Sequence, residues 1–387
     1  MAAKTPFEIH IPQSTLQDLQ DRLNRTRWTS EPEDSGWGMG TSLGYLKDLV
    51  DYWQHAYDWR KHETALNQFH HFKTAVDGVD IHFIYEQGNG TMPIILTHGW
   101  PDSFYRFHKI IPMLSHPERF GGNAEDTLDV VVPSMPGFGF SEHKAMTASA
   151  VADLWFKLMT EVLGYEKFAA AGGDLGTEVT RELALKYPDV VTAIHLTDVG
   201  YPNGTEDFAS LSPAEQQFAG LAQQWWYTEG AYNMLQSTKP QTLGPGLTDS
   251  PVGLAAWILE KFYSWSDNRG DIESCFTKDE LLTNIMIYWV TETINSSIRM
   301  YLENTRAIYA QGYGPKPVAR VEVPTGVASF PGEMTPVPRE WAERHVNLQR
   351  FTAMKQGGHF AALEEPELFA AELRSFLRHF RIVNIRA

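Results

Sequence analysis

The sequence predicts an α/β fold with a mostly parallel sheet, a helical insertion and a helical extension at its start. Apolar runs alternate with helical stretches over residues 76–200 and again over residues 309–387, which is typical of strands joined by crossover helices. Most of the runs are continuous, as in strands buried on both faces. The alternation stops over residues 201–308, where helical periodicity replaces it. We therefore predict an extension over residues 1–75, followed by a core in two parts that flank the insertion.

Composition and charge limit the classes of function. Of the 387 residues, 43% are hydrophobic and 21% are charged, which indicates a globular protein. The net charge of −16 and the lack of a basic run argue against nucleic acid or an anionic membrane as a partner. No apolar stretch reaches the ~18 residues of a membrane span. Cys275 is the single cysteine, which rules out an intrachain disulfide and favours a reducing compartment, the cytoplasm.

The extension is predicted to be helical. Leu16, Leu19 and Leu23 recur at helical spacing, and a second helix is expected to start at Leu43 and to end near Trp59.

The core begins after the turn signal at Asp77-Gly78. The predicted strands cover residues 81–85, 93–97, 128–133, 168–172, 191–197, 326–330 and 349–354. Helices are predicted over residues 150–163, 177–187 and 366–380.

The insertion is rich in aromatic residues: Trp225, Trp226, Trp257, Phe262 and Trp265. A helical segment inside an α/β chain predicts a lid over the ends of the strands.

The turn after the predicted strand 168–172 carries the first chemical signal. Asp174 lies in Gly172-Gly173-Asp174-Leu175-Gly176, between a strand and a helix. This is the pattern of a nucleophile elbow, the tight turn of α/β hydrolases, with aspartate in place of serine. Taken alone, the motif fits a simple N-cap role for Asp174 equally well.

A second signal, His98-Gly99-Trp100-Pro101, follows the predicted strand 93–97. In α/β hydrolases the loop after this strand supplies one amide of the oxyanion hole, and the residue after the nucleophile supplies the other. This assigns the backbone amides of Trp100 and Leu175. An ordinary tight turn explains the motif alone, but not its place beside the elbow.

Glu333 and His359 complete the set, because each follows a predicted strand. The order Asp174, Glu333, His359 is that of nucleophile, acid and base in this fold. Singly, a solvated carboxylate and a loop histidine would explain them. The adjacent His70 and His71 are predicted to lie on the surface, and the histidines form no convincing metal set.

An aspartate nucleophile attacks saturated carbon and forms an alkyl ester, which indicates epoxide opening or carbon–halogen cleavage. An epoxide oxygen needs a proton donor, whereas a halide needs only weak donors. Phenols suit the first role, because a pKa near ~10 keeps them protonated. The insertion offers five tyrosines, and composition does not choose among them: Tyr227, Tyr232, Tyr263, Tyr288 and Tyr301.

The chain resembles the microsomal-type epoxide hydrolases, α/β-hydrolase proteins with an N-terminal helical domain. The resemblance covers nearly the whole chain. It is carried by His98-Gly99-Trp100-Pro101, Pro136-Gly137-Phe138-Gly139-Phe140-Ser141, Gly172-Gly173-Asp174-Leu175-Gly176, Leu281-Leu282-Thr283-Asn284, Gly357-Gly358-His359-Phe360 and, in the extension, Arg22-Leu23-Asn24-Arg25-Thr26-Arg27-Trp28.

The resemblance implies that Tyr232 and Tyr301 are the proton-donating pair, that Glu333 orients the base His359, and that no cofactor or metal takes part. The family's animal enzymes carry a membrane anchor without a counterpart here, so no membrane attachment is expected. Asp102 stands where the family has a small residue, and we expect it to alter the pocket entrance.

We therefore predict an epoxide hydrolase that converts a small lipophilic epoxide into a vicinal diol. A haloalkane-type dehalogenase and a catalytically inactive ligand-binding protein are the alternatives. Assembly into a homo-oligomer stays open.

Overall fold

The computed structural model describes residues 4–88, 92–310, 312, 314 and 316–381, and its centre is one mixed sheet. The strands of the described part are β1 (Thr5–Pro6), β2 (His71–Val76), β3 (Val79–Glu86), β4 (Pro93–Thr97), β5 (Asp129–Pro133), β6 (Phe168–Gly172), β7 (Val191–Leu196), β8 (Val321–Ser329) and β9 (Val346–Ala353). They lie in the order β1-β2-β3-β5-β4-β6-β7-β8-β9. The pairings β1-β2, β2-β3 and β3-β5 are antiparallel and the others are parallel, which confirms the predicted fold class.

Helices cover both faces of the sheet, as crossover connections between parallel strands require. In the described residues the α-helices are α1 (Gln13–Asn24), α2 (Leu43–His55), α3 (Trp59–Leu66), α4 (Ile111–Ser115), α5 (Ala148–Lys157), α6 (Leu175–Lys186), α7 (Pro213–Thr228), α8 (Ala231–Thr238), α9 (Pro240–Asp249), α10 (Pro251–Ser264), α11 (Lys278–Thr291), α12 (Ile294–Ala310), α13 (Arg339–His345), α14 (Ala361–Glu364) and α15 (Pro366–Leu377).

The central strands β4, β5 and β6 are buried along their whole length. Their continuous apolar runs explain why β4 and β6 coincide with the predicted strands 93–97 and 168–172. Because the strands from β4 to β9 are parallel, their carboxyl ends meet at one edge of the sheet, where ligand sites of open α/β sheets lie.

Three strands begin earlier than predicted, β3 at Val79, β8 at Val321 and β9 at Val346. Pro324 explains why the start of β8 was not predicted, because proline normally interrupts a central strand. The register between β8 and β9 shifts between Val321 and Pro324, and such a bulge accommodates a residue without an N–H.

The sequence predicted a helical extension, but the extension also contains strands. β1 and β2 lie inside it and join the sheet, with β2 forming a hairpin with β3 across the predicted Asp77-Gly78 turn. The turn requires a strand on each side, but the sequence analysis assigned only the strand that follows it. The predicted helices α1 and α2 are present, whereas α3 was not predicted and begins at Trp59, where the second helix was expected to end. The extension contacts the insertion, for example through Tyr52 Oη, which donates to Asp279 at 2.9 Å.

The insertion is helical, as predicted, and consists of α7 to α12. Local signals fix its helix starts: Thr277 and Glu280 form a reciprocal capping box at α11, and the Ser250 hydroxyl accepts from the Gly253 amide at the start of α10. Ser296 on α12 donates to the Gly137 carbonyl of the core at 2.6 Å. Across the described residues, no helix has both the length and the apolar character needed to cross a membrane.

His70 lies on the surface as predicted, whereas the surface position predicted for His71 is wrong. The His70 side chain is 72% exposed and contacts Glu86. His71 is buried, and its ring bonds to His82 at 2.9 Å and to the Leu66 carbonyl at 2.8 Å. Successive side chains of a strand point to opposite faces, and here one face is covered by the core.

Candidate active site

Asp174 lies in the tight turn between β6 and α6 with φ 59° and ψ −132°. A non-glycine residue at positive φ is strained, and such strain is concentrated at functional sites. Asp174 occupies the N-cap position of α6, but its side chain makes no capping hydrogen bond there, so a simple N-cap role does not explain it. Its backbone N–H donates instead to Asp198 Oδ2 at 3.1 Å. A Cβ at Gly176 would lie 2.9 Å from the His98 carbonyl oxygen, so only glycine lets the turn approach β4 this closely.

The Asp174 carboxylate is held by backbone amides. The Trp100 N–H donates to Asp174 Oδ1 at 2.8 Å, and the Leu175 N–H also stabilises the charge of the carboxylate and lowers its pKa. A Cβ at Gly99 would lie 2.5 Å from the Asp174 Cβ, so glycine is required for this approach. The predicted oxyanion-hole amides therefore both lie on the predicted nucleophile.

His359 lies between two carboxylates. Its Nδ1 is 3.1 Å from both carboxylate oxygens of Glu333, and its Nε2 is 3.4 Å from Asp174 Oδ2. The imidazole packs edge-on against Trp265 at 5.1 Å between ring centroids. The structure thus brings together the three residues that the sequence predicted as nucleophile, acid and base.

The charges of this set stabilise one another. Burial lowers the pKa of His359, but the carboxylates of Glu333 and Asp174 outweigh it and raise the pKa to about 10. Burial raises the pKa of Asp174, but His359 and the amides of Leu175 and Trp100 bring it below its ordinary value. At neutral pH the resting site therefore holds an imidazolium beside an ionised Asp174.

Two of the five candidate tyrosines lie at this site. Tyr232 on α8 and Tyr301 on α12 are buried, with their ring centroids 6.2 Å apart. Both contact the Trp100 indole, at 5.5 Å and 6.1 Å between centroids. Burial, together with the nearby charge of Asp174, holds the pKa of Tyr232 well above its usual value, although bonds to Tyr301 and Asn233 lower it. Burial likewise raises the pKa of Tyr301, so both phenols carry their protons at neutral pH.

The other three tyrosines are either exposed or make contacts outside this site. Tyr227 is 80% exposed on α7. Tyr263 stacks on Trp37 of the extension at 4.1 Å, and Tyr288 donates to the Asp102 carbonyl at 2.6 Å.

The sequence analysis placed Asp102 at the pocket entrance, and this expectation is wrong. It is fully buried behind the Trp100 loop, where Oδ1 accepts from the Gly99 N–H at 2.8 Å and Oδ2 accepts from the Arg106 guanidinium. The buried Arg106 allows a carboxylate at this position, because it supplies the opposite charge.

Two supporting carboxylates were missed in the sequence. Asp198 follows β7 and accepts bonds from the Asp174 N–H and from the Thr177 hydroxyl at 2.7 Å. Glu364, interpreted only as part of a helix start, accepts from the amides on both sides of His359, Gly358 at 2.9 Å and Phe360 at 2.8 Å. The strand-end position of Asp198 is a signal that could have found it, whereas nothing local marks Glu364.

Comparisons with known proteins agree with this geometry. The sequence model "Epoxide hydrolase N terminus" matches residues 4–107, and the model "alpha/beta hydrolase fold" matches residues 92–249. Epoxide hydrolase 1 of Sus scrofa is 38% identical over 410 residues, covering 96% of this chain and 88% of the relative.

Solved structures give the same result. The juvenile hormone epoxide hydrolase of the silkworm Bombyx mori has a TM-score of 0.83 at 30% identity, covering 98% of this chain and 94% of that one. The Aspergillus niger epoxide hydrolase has a TM-score of 0.83 at 30% identity, covering 97% and 96%. These matches favour epoxide hydrolysis over the dehalogenase and over the inactive binding protein. The chain belongs to the epoxide hydrolase family and is a hydrolase of the α/β-hydrolase fold.

Proposed function

We propose that Asp174 opens the epoxide by attacking a ring carbon with Oδ2. The bond between that carbon and the epoxide oxygen breaks, and Tyr232 or Tyr301 gives its phenolic proton to the oxygen. The products are a hydroxyalkyl ester on Asp174 and a tyrosinate. The observation that carries this assignment is that the Trp100 amide holds Oδ1 at 2.8 Å, which leaves Oδ2 to react.

Ester formation changes the state of His359. It removes the negative charge of Asp174, one of the two carboxylates that raise the pKa of the imidazole. The imidazolium then releases its proton, which restores the tyrosine phenol directly or through water. His359 thus becomes a base only after the first step has occurred.

Ester hydrolysis completes the cycle. Neutral His359, oriented by Glu333, takes a proton from a water that attacks the ester carbonyl carbon. The oxyanion forms on Oδ1, where the Trp100 and Leu175 amides stabilise it. The carbonyl carbon–oxygen bond to the substrate breaks, the diol oxygen is protonated, and Asp174 returns to its carboxylate. No cofactor or metal enters this scheme.

We also propose that the substrate is lipophilic and that the insertion, residues 201–308, acts as a lid. The support is the aromatic surroundings of the tyrosine pair, in which Trp100, Trp225 and Trp265 all contact Tyr232. Apolar and aromatic side chains line most small-molecule sites and bind apolar substrate surface. Homo-oligomer formation and a cytoplasmic location stay predictions from the sequence.

The direct test is to trap the ester. A His359→Gln variant incubated with a lipophilic epoxide should accumulate a peptide that contains Asp174 and is heavier by the mass of the intact epoxide, measured by mass spectrometry. The ester persists because glutamine cannot act as the base.

Three controls sharpen this test. Asp174→Asn should give no adduct, and the double variant Tyr232→Phe, Tyr301→Phe should give far less, because the oxygen then lacks its proton donors. Adducts on another residue of the His359→Gln variant would contradict the assignment. An adduct from a haloalkane that lacks the halogen would indicate dehalogenase chemistry instead.

A further inference from the structure

A buried ion pair lies behind the two loops that carry the Trp100 amide and His359. Asp102 is 0% exposed and Arg106 is 2% exposed, and the guanidinium bonds to Asp102 Oδ2 through Nη1. The other oxygen of Asp102 accepts from the Gly99 N–H at 2.8 Å. The other end of the guanidinium, Nη2, donates to the His359 carbonyl oxygen at 2.5 Å. One continuous set of hydrogen bonds therefore links the backbone next to Trp100 with the backbone of His359.

We propose that Asp102 and Arg106 are positioning residues for ester hydrolysis, fixing the oxyanion-hole loop and the histidine loop relative to each other. This inference rests on the proposed roles of the Trp100 amide and of His359. Neither Asp102 nor Arg106 touches the reacting atoms, so each acts through the loop it holds.

The surroundings of the pair make it rigid. On the side of the insertion, Asn284 Nδ2 donates to the Pro101 carbonyl at 2.8 Å and Tyr288 donates to the Asp102 carbonyl at 2.6 Å. The pair thus lies at the junction of the core and α11. Because both charges are buried, removal of one leaves the other without compensation, so the geometry is strongly specified.

The charge of Arg106 also serves the site as a whole. Three carboxylates interact with the guanidinium, those of Asp102, Asp174 and Glu333. On the histidine side, the guanidinium carbon lies 5.9 Å from the ring centroid of Phe360, the residue after His359. A single buried cation therefore bonds to both loops that ester hydrolysis uses, through Asp102 on one side and through the His359 carbonyl on the other.

The two chemical steps depend differently on this pair. In alkylation the reacting groups are Oδ2 of Asp174 and a phenol, and the pair reaches them through one loop only, by way of the Trp100 amide on Oδ1. Hydrolysis needs the base His359 and the oxyanion-hole amides in the correct positions relative to each other. These are the groups whose loops the pair connects. A displacement of about 1 Å can cost ~10²-fold in rate, so loss of the pair should slow hydrolysis selectively.

The test is single-turnover kinetics on Asp102→Asn and Arg106→Gln with a lipophilic epoxide. We expect ester hydrolysis to slow by about 10²-fold and the ester on Asp174 to accumulate, while alkylation changes by less than about 3-fold. Arg106→Lys keeps the positive charge but lacks the guanidinium that bonds to Asp102 and to His359 at the same time. The rate of ester hydrolysis should therefore fall by about 10-fold in this variant. Equal slowing of both steps, or hydrolysis at the wild-type rate in a folded variant, would overturn the proposal.

Two comparisons keep the result decisive. Glu372→Gln removes a buried carboxylate that Arg350 holds with two bonds of 2.7 Å on α15, outside the site, and should lower stability without slowing hydrolysis. If Asp102→Asn does not fold, Arg106→Lys decides the question. His359→Gln is measured in parallel: if it traps no ester the proposed mechanism fails, whereas trapping there with unaffected pair variants overturns only the positioning role.

Discussion

Two buried histidine networks in this molecule respond to burial in opposite ways. At the active site, His359 lies between Glu333 and Asp174, and its pKa is raised to about 10. At the junction of β2 and β3, His82 and His71 face each other at 2.9 Å, and burial holds the pKa of His82 well below its usual value. Burial disfavours the charged imidazole in both places, and the neighbours make the difference: carboxylates favour the charge of His359, whereas His71, Lys73 and His98 disfavour that of His82. Whether a buried histidine is charged or neutral thus depends on its partners.

The neutral network has one consistent arrangement of protons. His71 Nε2 must donate to the Leu66 carbonyl at 2.8 Å, so His71 Nδ1 accepts from His82 Nε2. His82 Nδ1 then accepts from the Ser134 hydroxyl at 2.9 Å. A proton added to His71 Nδ1 would set two N–H donors against each other in a buried site, which is costly. This chain of hydrogen bonds, which joins the extension to the core, therefore requires a neutral His71.

The largest effect is expected when the active-site network loses its carboxylate. Glu333→Gln should lower kcat on the order of 10²–10⁴-fold, the range that positioned proton transfer contributes. The loss should fall on ester hydrolysis, because alkylation does not use His359 as a base. Single-turnover kinetics that separate the two steps would measure it. Slowing confined to alkylation would contradict the role given to Glu333.

The neutral network should control stability at acid pH. Unfolded histidines take up protons below pH 6.5, whereas His82 and His71, with lowered pKa values, stay neutral in the fold. Their stabilising contribution is present above pH 6.5 and is lost as the pH falls. His82→Asn should cost ~1–3 kcal/mol at neutral pH. Stability should then also fall less steeply as the pH drops below 6.5, because unfolding of the variant takes up one proton fewer. Guanidinium unfolding at several pH values measures both, and an unchanged steepness would count against the neutral chain.

The active-site histidine should show the opposite dependence at alkaline pH. With its pKa raised from 6.5 to about 10, His359 keeps in the fold a proton that the unfolded chain releases. Its contribution is complete below pH 6.5 and is lost as the pH rises through about 10. The free energy of unfolding should therefore fall by up to ~1.4 kcal/mol per pH unit in this window. His359→Gln should remove that part of the pH dependence, and the His82→Asn variant should retain it.

The contrast also explains what the sequence could predict. Continuous apolar runs between turns placed β4 and β6 correctly, and short motifs at strand ends pointed to Asp174, Trp100 and His359, which the structure brings close together. These features are local, because a tight turn or a buried strand needs particular residues next to one another.

Partners that are distant along the chain could not be predicted. His71 was placed on the surface, because its partner His82 lies across a hairpin whose first strand was not assigned. Asp102 looked like an entrance residue until Arg106 was seen to turn inward and bond both to it and to His359. Burial of a charged residue depends on a partner that the spacing of residues does not reveal.

The smallest effect separates the adjacent residues His70 and His71. The His70 ring is 72% exposed beside Glu86, and the His70 backbone N–H, which donates to Glu86 at 2.7 Å, does not depend on the side chain. His70→Gln should therefore change the free energy of unfolding by less than ~0.5 kcal/mol, as exposed ion pairs do. His71→Gln should cost ~1–3 kcal/mol, because it leaves buried partners unsatisfied. Urea unfolding of the two variants at pH 7 measures the difference. Equal costs would mean that the ring of His71 does not take part in the buried hydrogen bonds. The contrast between a charged network at His359 and a neutral, stabilising network at His71 and His82 would then be wrong for the second network.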